Sequence, residues 1–221
     1  MDFDFTPILE SWRFLLGGLE LTLLLALLTV LSSLALGTAV GLARCYGPGW
    51  LRTPLVFYID SMRAVPVLVV LVWTYFALPL VTGVTLPPFW AALAALSVHI
   101  AAYVAEIVRA GVSSVRPGQM RAALALGMSR AAAVRQVILP QAVVRMLPAF
   151  GSVISIAIKD TAIATVIAVP EYMNRSQTLA GESFHPIEVF LVAMAVYFVI
   201  LFPATRVVDM VYARLAHLGR S

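Results

Sequence analysis

Long runs of apolar residues dominate the chain, and such runs are typical of membrane-spanning helices. The stretch Leu21–Ala43 has no charged residue and is long enough to cross a bilayer, which takes about 20 residues. The next charge-free stretch, Ala64–Val104, is too long for one helix, and turn residues between positions 79 and 88 divide it. We therefore predict five spanning helices with the two chain ends on opposite sides of the membrane. They lie near Leu21–Ala43, Leu55–Leu80, Phe89–Ala110, Gln136–Ile158 and Val189–Thr205.

Two other apolar segments do not qualify as spans. Thr161–Pro170 has only about ten residues, which suits a re-entrant or packed half-helix. Ile8–Leu19 mixes aromatic and charged residues, so it forms either an amphipathic helix in the interface plane or a flanking anchor of the first span. No repeat, low-complexity tract or soluble domain is visible, and residues 1–221 are expected to form one transmembrane domain.

Composition agrees with this pattern and excludes several classes of protein. Hydrophobic residues make up 62% of the chain and charged residues 12%, whereas soluble domains average about 25% charged residues. An ordinary cytosolic enzyme, a disordered regulator and a fibrous repeat are therefore excluded. The single cysteine and three histidines have no metal-site spacing, so no metal site is expected.

The distribution of arginine predicts the orientation of the helices. In a five-helix arrangement, one side carries most of the basic residues and the other side carries mainly acids. The basic side has Arg44, Arg52, Arg109, Arg116, Arg121, Arg130, Arg135, Arg145, Arg206, Arg214 and Arg220; the acidic side has Arg13, Arg175, Asp2, Asp4, Glu10, Glu171, Glu182 and Glu188. The positive-inside rule places the N-terminus outside and the C-terminus in the cytoplasm. Topology thus accounts for the net charge of +4, and no nucleic-acid partner is expected.

The predicted cytoplasmic loop between spans three and four, at about residues 113–140, has its own helical pattern. Pro117-Gly118 forms a turn, and Gln119–Leu126 is rich in alanine and leucine, which favour helix. Gly127 fits a helix C-terminus, and Ser129 fits the N-cap of a second helix that continues toward Pro140. The sequence therefore predicts two short helices joined at Gly127. These helices form either a docking site for a cytoplasmic partner or a surface loop that only connects the two spans.

This loop resembles the EAA loop of bacterial ABC importer permeases. That pattern is Glu-Ala-Ala, three residues, Gly, nine residues, Ile, one residue, Leu-Pro. Here it reads Arg121-Ala122-Ala123, Gly127, Val137 and Leu139-Pro140, with the spacing matched throughout. The resemblance implies that Gln119, Arg121, Ala122, Ala123, Leu126 and Gly127 couple this chain to an ATPase. Arg121 stands where the family has Glu, which reverses the charge.

Four further segments resemble the polar amino-acid branch of that family over about residues 10 to 215. They are Tyr58-Ile-Asp-Ser-Met-Arg63-Ala-Val-Pro66, Ala102-Tyr103-Val104-Ala105-Glu106-Ile107-Val108-Arg109, Leu139-Pro140-Gln141-Ala142 and Lys159-Asp160-Thr161. Ala64-Val65 replaces the family's Gly-Thr, and Ala162 replaces its Ser. Both departures lie near the expected solute path.

The resemblance also implies an assembly in the bacterial inner membrane. A second permease subunit, identical or related, shares the solute path, an ABC ATPase dimer docks on the cytoplasmic loops, and an extracytoplasmic binding protein delivers the solute. The chain has no Gly-x-x-x-x-Gly-Lys-Ser/Thr pattern. ATP is therefore expected on the partner subunit, and this chain is expected to be a transport component with no cofactor and no enzymatic activity of its own.

Ionisable and polar residues within spans mark candidate positions for the solute path, because charges in a bilayer are costly and usually paired or functional. The candidates are Arg63, Pro66, His99, Glu106, Lys159, Asp160 and Thr161. Arg63 lies just before Pro66, where a kink is predicted, and its guanidinium suits a substrate carboxylate or a structural pair. Glu106 and Arg109 suit an i,i+3 ion pair. Lys159 and Asp160 either pair with neighbouring helices and hold the Thr161–Pro170 piece in place or contact the substrate, and Asp160 can neutralise Lys159 locally. His99 either packs against a partner in the core or binds the substrate.

The hypothesis that joins these observations is the permease subunit of an ATP-driven, binding-protein-dependent importer for polar amino acids or related small zwitterions. Two alternatives are an ion-coupled secondary transporter subunit and a structural membrane scaffold. The first is disfavoured by the absence of a visible repeat pair and by the partner-type loop. The second has no need for Arg63, Lys159 and Asp160 within spans.

Overall fold

The computed structural model describes residues 3–215, and all regular secondary structure in that range is helical. Asp2 and Arg220, which contribute to the predicted charge bias, lie outside the described residues. The N-terminal half contains α1 (Thr6–Glu10), α2 (Trp12–Tyr46), α3 (Gly49–Ala64), α4 (Val67–Val72), α5 (Leu78–Thr82) and α6 (Pro88–Ser114). The C-terminal half contains α7 (Pro117–Ala125), α8 (Arg130–Ala133), α9 (Leu139–Asp160), α10 (Tyr172–Ser183) and α11 (Pro186–Leu215).

Four continuous helical segments in the described part of the chain are long and apolar enough to cross a membrane. They cover Trp12–Tyr46, Pro88–Ser114, Arg130–Ile167 and Pro186–Arg214. Gly49–Ala64 and Val67–Thr82, which are bent by 108° relative to each other, form either a broken fifth span or a re-entrant segment. The prediction of an all-helical membrane protein is thus confirmed, with four to five candidate spans in the described residues, whereas the orientation of its ends stays a prediction.

The second span is not the single helix predicted for Leu55–Leu80. The chain is extended at Val65 (φ −90°, ψ 134°) and at Pro66 (φ −59°, ψ 137°). Proline has no N–H to donate and disfavours helical backbone in the residue before it, so α3 ends at Ala64. The predicted kink at Pro66 is therefore a complete break, and Arg63 lies at the end of α3, next to the break, rather than within a continuous helix.

The second helix predicted for the cytoplasmic loop is not a separate element. Residues 130–133, 134–138 and 139–160 form one continuous helix, so the segment between α6 and the fourth span is shorter than the predicted loop. A π-helical turn at Val134–Ile138 lies just before Pro140, and another at Trp73–Ala77 lies just before Pro79. A wider turn moves the preceding carbonyls away from the proline ring, and the helix can continue past the proline.

The first span starts earlier than Leu21. Residues from Trp12 onward already belong to α2, since no proline interrupts this stretch after Ser11, and only Thr6–Glu10 forms a separate short helix. An in-plane helix over Ile8–Leu19 is therefore wrong, and the flanking-anchor interpretation describes the segment better. The predicted half-helix at Thr161–Pro170 is a 3₁₀ helix over Thr161–Ile167, with Ala164 and Ile167 buried against the apolar core.

The bundle is organised around the contact between α2 and α6. A Cβ atom on Gly37 would lie 2.5 Å from the carbonyl oxygen of Ala101, and one on Gly41 would lie 2.8 Å from that of Ala105. Two glycines four residues apart thus let the helix backbones touch, which is the usual way that membrane helices maximise packing. The α6 side of the contact is equally small, because Ala101 and Ala105 are fully buried.

A buried carboxylate, that of Glu171, links helices at the end of the bundle opposite to the α6–α7 connection. It caps α10 by accepting hydrogen bonds from the backbone N–H groups of Met173 (2.9 Å) and Asn174 (2.7 Å). The hydroxyls of Thr22 on α2 (3.2 Å) and Tyr197 on α11 (3.3 Å) also donate to it. Glu171 therefore joins three helices. Helix α10 is an element beyond those predicted from the sequence, although an acidic residue after Pro170 is a recognisable N-cap pattern.

We expect Gly37→Ala to destabilise the protein by about 1–3 kcal/mol, because the added methyl group forces α2 and α6 apart. The matched control is Gly181→Ala on α10, where a Cβ meets nothing within 4 Å and alanine favours helix. Thermal unfolding of the purified protein in detergent compares the two variants. An equal response of both variants would contradict the close-packing role of Gly37.

The pH dependence of stability tests the buried carboxylate. Burial raises the pKa of Glu171, although the hydrogen bonds from Met173, Asn174, Thr22 and Tyr197 act in the opposite direction. The folded state therefore holds this proton more tightly than the unfolded state. Its contribution to stability is present at low pH and is lost as the pH rises through the raised pKa. We expect the difference in thermal midpoint between wild type and Glu171→Gln to shrink from acidic to neutral pH.

Other titrating groups cancel in that difference, because both proteins share them. The Gln variant should also be less stable by about 1–3 kcal/mol, since its amide group faces hydrogen-bond donors. A midpoint difference that grows with pH would show that the hydrogen bonds outweigh burial.

Candidate functional site

The break between α3 and α4 opens a cavity that gathers four of the seven predicted solute-path residues. This cavity, called here the break cavity, has a volume of about 440 Å³. Its walls come from the end of α3 and start of α4, from α6 and from α9. Its lining includes Arg63, Pro66, His99, Tyr103 and Asp160. Residues nearly 100 positions apart in the sequence therefore face one space.

Arg63 brings a positive charge to the break cavity. Its side chain is exposed, and its guanidinium lies 5.8 Å from the centre of the Tyr103 ring. Among the side chains that the structure describes, no carboxylate oxygen lies within 4 Å of it. A cation held over an aromatic face but without an ion-pair partner retains donors for an anionic ligand.

His99 contributes a buried polar group at the same place. Only 5% of the residue is exposed, and its ring centre lies 5.5 Å from that of Tyr103. Within the described part of the chain, its Nδ1 atom has no hydrogen-bond partner. Because buried polar atoms are normally hydrogen-bonded, this unpaired atom distinguishes His99 from the other residues that line the cavity.

Lys159 and Asp160 point to different sides of α9, and local neutralisation of Lys159 by Asp160 stays a prediction. No ion pair joins them in the described residues. Asp160 lines the break cavity, whereas Lys159 lines a groove of about 380 Å³ between α9 and α11, with Ser155 and Thr205. Adjacent helical positions are separated by about 100°, so they do not face each other.

Thr161 is also outside the break cavity. Its side chain is fully buried, and its hydroxyl donates to the carbonyl oxygen of Ile158 at 2.7 Å. The motif Lys159-Asp160-Thr161 thus sends its three side chains to three environments, and only Asp160 shares a space with Arg63.

Glu106 is paired rather than free. Its carboxylate accepts from Arg109 Nη2 at 2.5 Å, as the i,i+3 spacing predicted, and from Arg44 Nη1 on α2 at 2.7 Å. A smaller depression of about 270 Å³, which shares Arg63 and Tyr103 with the break cavity, reaches Glu106. The partner Arg44 was missed because it is 62 positions away in the sequence.

The short helix α7 has one inner and one outer face. Met120 packs against the core cluster near Val115 and Ile138, and Ala123 is buried. On the outer face Leu126 is 83% exposed, and Arg121 and Ala122 are exposed as well. Of the predicted coupling residues, Ala123 therefore supports the helix from within, Gln119 is half-buried, and the others are accessible to a partner.

The end of α7 has the cap that its sequence predicted. Gly127 has a φ of +82°, and the N–H groups of Gly127 and Met128 donate to the carbonyls of Leu124 (3.0 Å) and Ala123 (3.1 Å). This pair of bonds is the Schellman motif, which favours glycine at the left-handed position. Ser129 accepts from the N–H of Ala132 at 3.2 Å and caps the next helix. Two caps thus fix the sharp reversal between α7 and the fourth span.

Comparison with known proteins identifies the kind of molecule in which this arrangement occurs. The family model for "binding-protein-dependent transport system inner membrane component" matches residues 33–217. The glutamine transport system permease protein GlnP of Escherichia coli is 36% identical over 217 residues, which are 97% of each chain. The octopine transport system permease protein OccM of Rhizobium meliloti is 36% identical over 214 residues, covering 93% of this chain and 87% of that protein.

A solved structure gives the same result in three dimensions. The crystal structure of an amino acid ABC transporter with histidines superposes with a TM-score of 0.90 at 32% sequence identity. The match covers 97% of this chain and 100% of that chain. The fold described above is therefore that of a transporter subunit over nearly its whole length.

Proposed function

We propose that this chain, which belongs to the family of binding-protein-dependent transport system inner membrane components, carries a site for polar amino acids or related small zwitterions. Within that family it is a multi-pass permease of the amino-acid ABC importer type. The observation that carries the proposal is that Arg63 and Asp160 both line the break cavity. An amino acid presents a carboxylate and an ammonium group on one carbon. A guanidinium and a carboxylate facing one space are the complementary groups.

The position of the break cavity supports its use as part of a transport path. Discontinuous helices commonly form solute sites in transporters, because their free backbone groups and side chains face a cavity rather than lipid. Here α3 and α4 are interrupted at Val65-Pro66, next to Arg63. The cavity lies on the surface of this chain, so a second permease subunit, identical or related, closes the path.

Coupling to a separate ATPase dimer is assigned to α7. Its outer face is exposed while its inner face packs on the start of the fourth span, so a force on α7 is transmitted to α9. α9 carries Asp160, which faces the break cavity. Movement of α7 by a cytoplasmic partner therefore changes the geometry of the proposed solute site.

The remaining parts of the proposed assembly follow from the family. An extracytoplasmic solute-binding protein delivers the amino acid to the end of the bundle that carries α1 and α10, and ATP binds to the partner subunit. The bundle lies in the bacterial inner membrane, with its arginine-rich end in the cytoplasm. This chain itself is a transport component and not an enzyme.

We expect Arg63→Ala to lower uptake of zwitterionic amino acids about 10- to 100-fold, the worth of one charge-assisted hydrogen bond to a carboxylate. Lys159→Gln is the matched comparison, since Lys159 lines the groove toward α11 instead. Uptake into proteoliposomes that contain the assembled transporter measures both variants. If Lys159→Gln abolishes uptake while Arg63→Ala does not, the solute site lies in the α9–α11 groove and the proposal for the break cavity is wrong.

A second experiment tests coupling. Gly127→Val forces a β-branched residue into left-handed backbone, where nothing within 4 Å would clash with the new Cβ. We expect assembly with the ATPase to persist and ATP-driven uptake of the solute to fall, because the cap of α7 is lost. Gly127→Asn should retain most uptake, since asparagine tolerates the left-handed conformation. Full coupled uptake in the Val variant would exclude α7 as the coupling element.

A further inference from the structure

The ends of α2, α3 and α6 form a second cavity, which is lined by three arginines and has no role in the proposed solute path. This space, called here the arginine cavity, has a volume of about 340 Å³. Arg44 and Tyr46 belong to the last turns of α2, Arg52 to the start of α3, and Arg109 to the last turns of α6. The remaining lining comes from Cys45, Val112 and Ser113.

The arginine cavity keeps a net positive charge. Glu106 accepts hydrogen bonds from Arg44 and Arg109 and holds both guanidinium groups in place. Each of these two arginines retains N–H groups beyond those that Glu106 uses, since a guanidinium has five. Arg52 has no carboxylate oxygen within 4 Å in the part of the chain whose side chains are described. One carboxylate behind three guanidinium groups leaves the cavity suited to an anion.

Exposed aromatic residues place this cavity at the level of lipid head groups. Tyr46, which lines it, is 40% exposed, and Trp50 in the first turn of α3 is 76% exposed. Tyrosine and tryptophan concentrate at the boundary between lipid tails and water. The apolar side chain of Val112 forms part of the wall, so the cavity combines a cationic and an apolar lining.

We propose that the arginine cavity binds the phosphodiester head group of an anionic phospholipid. Basic pockets between spanning helices are suited to such head groups, because arginine forks match phosphate oxygens while the acyl chains stay in the bilayer. The bound lipid would join α2, α3 and α6 at the end from which α7 leaves. The inference rests on the proposed function only in that the bundle lies in a membrane.

Lipid retention by the assembled transporter tests this inference. The complex is reconstituted in mixed phosphatidylglycerol and phosphatidylcholine, and retained lipid is measured by native mass spectrometry. We expect wild type to retain phosphatidylglycerol in preference to phosphatidylcholine. Arg52→Gln should lower that retention about fivefold, the effect of one arginine near an anionic lipid surface. Arg52→Lys keeps the charge and should restore most of it.

The matched control is Arg135→Gln, which removes another exposed arginine near the α7 end but outside the arginine cavity. It should leave lipid retention unchanged. Equal retention of the two lipids by wild type, or an equal response to Arg52→Gln and Arg135→Gln, would overturn the inference. Inorganic phosphate and glycerol phosphate are added as competitors. Displacement of the lipid by either at low concentration would assign the cavity to a soluble phosphate instead.

Amino-acid uptake is measured in parallel, so the two proposals fail separately. Selective lipid retention without amino-acid uptake leaves the arginine cavity assigned and removes the solute proposal. Amino-acid uptake without selective lipid retention leaves the solute proposal standing and removes the assignment of the arginine cavity. Since Arg52 makes no ion pair in the described residues, its replacement is not expected to unfold the protein.

Discussion

The close approach of α2 and α6 is the constraint on which the other features of the bundle depend. In a membrane, helices gain little from hydrophobic burial against each other, so association rests on contact area and polar links. Gly37 and Gly41 remove the side chains that would hold the two backbones apart, and small residues on α6 complete the contact. Because α6 carries His99, Tyr103 and Glu106, this contact fixes the depth of the candidate site.

Polar links lie near the middle of that helix pair, where the hydroxyls of Ser32 and Ser97 are 2.6 Å apart, and at its two ends. Arg44 and Arg109 share Glu106 at one end, and Thr22 reaches Glu171 at the other. Charges are costly inside a bilayer unless they are paired. The Arg44–Glu106 pair and the buried carboxylate of Glu171 join neighbouring helices, whereas Arg63 and Asp160 line a cavity. This contrast separates the groups that hold the bundle together from those assigned to the solute in the proposed function.

Proline shapes the chain in different ways at different positions. Pro66 ends a helix and creates the break cavity, while Pro79 and Pro140 are accommodated by π-helical turns and do not interrupt the helix. A complete break exposes side chains at the point of interruption, whereas a widened turn keeps the helix continuous from the end of α7 to Asp160.

The sequence by itself determined the features that depend on local chemistry. Apolar runs located the spans, the left-handed preference of Gly127 and the capping of Ser129 defined the ends around α7, and i,i+3 spacing paired Glu106 with Arg109. Only the tertiary structure decided how far the chain turns at Pro66, that Arg44 is the second partner of Glu106, and that Lys159 and Asp160 face different spaces. These outcomes depend on which helices become neighbours. Residue periodicity within one helix carries no information about the charge or space that another helix presents to it.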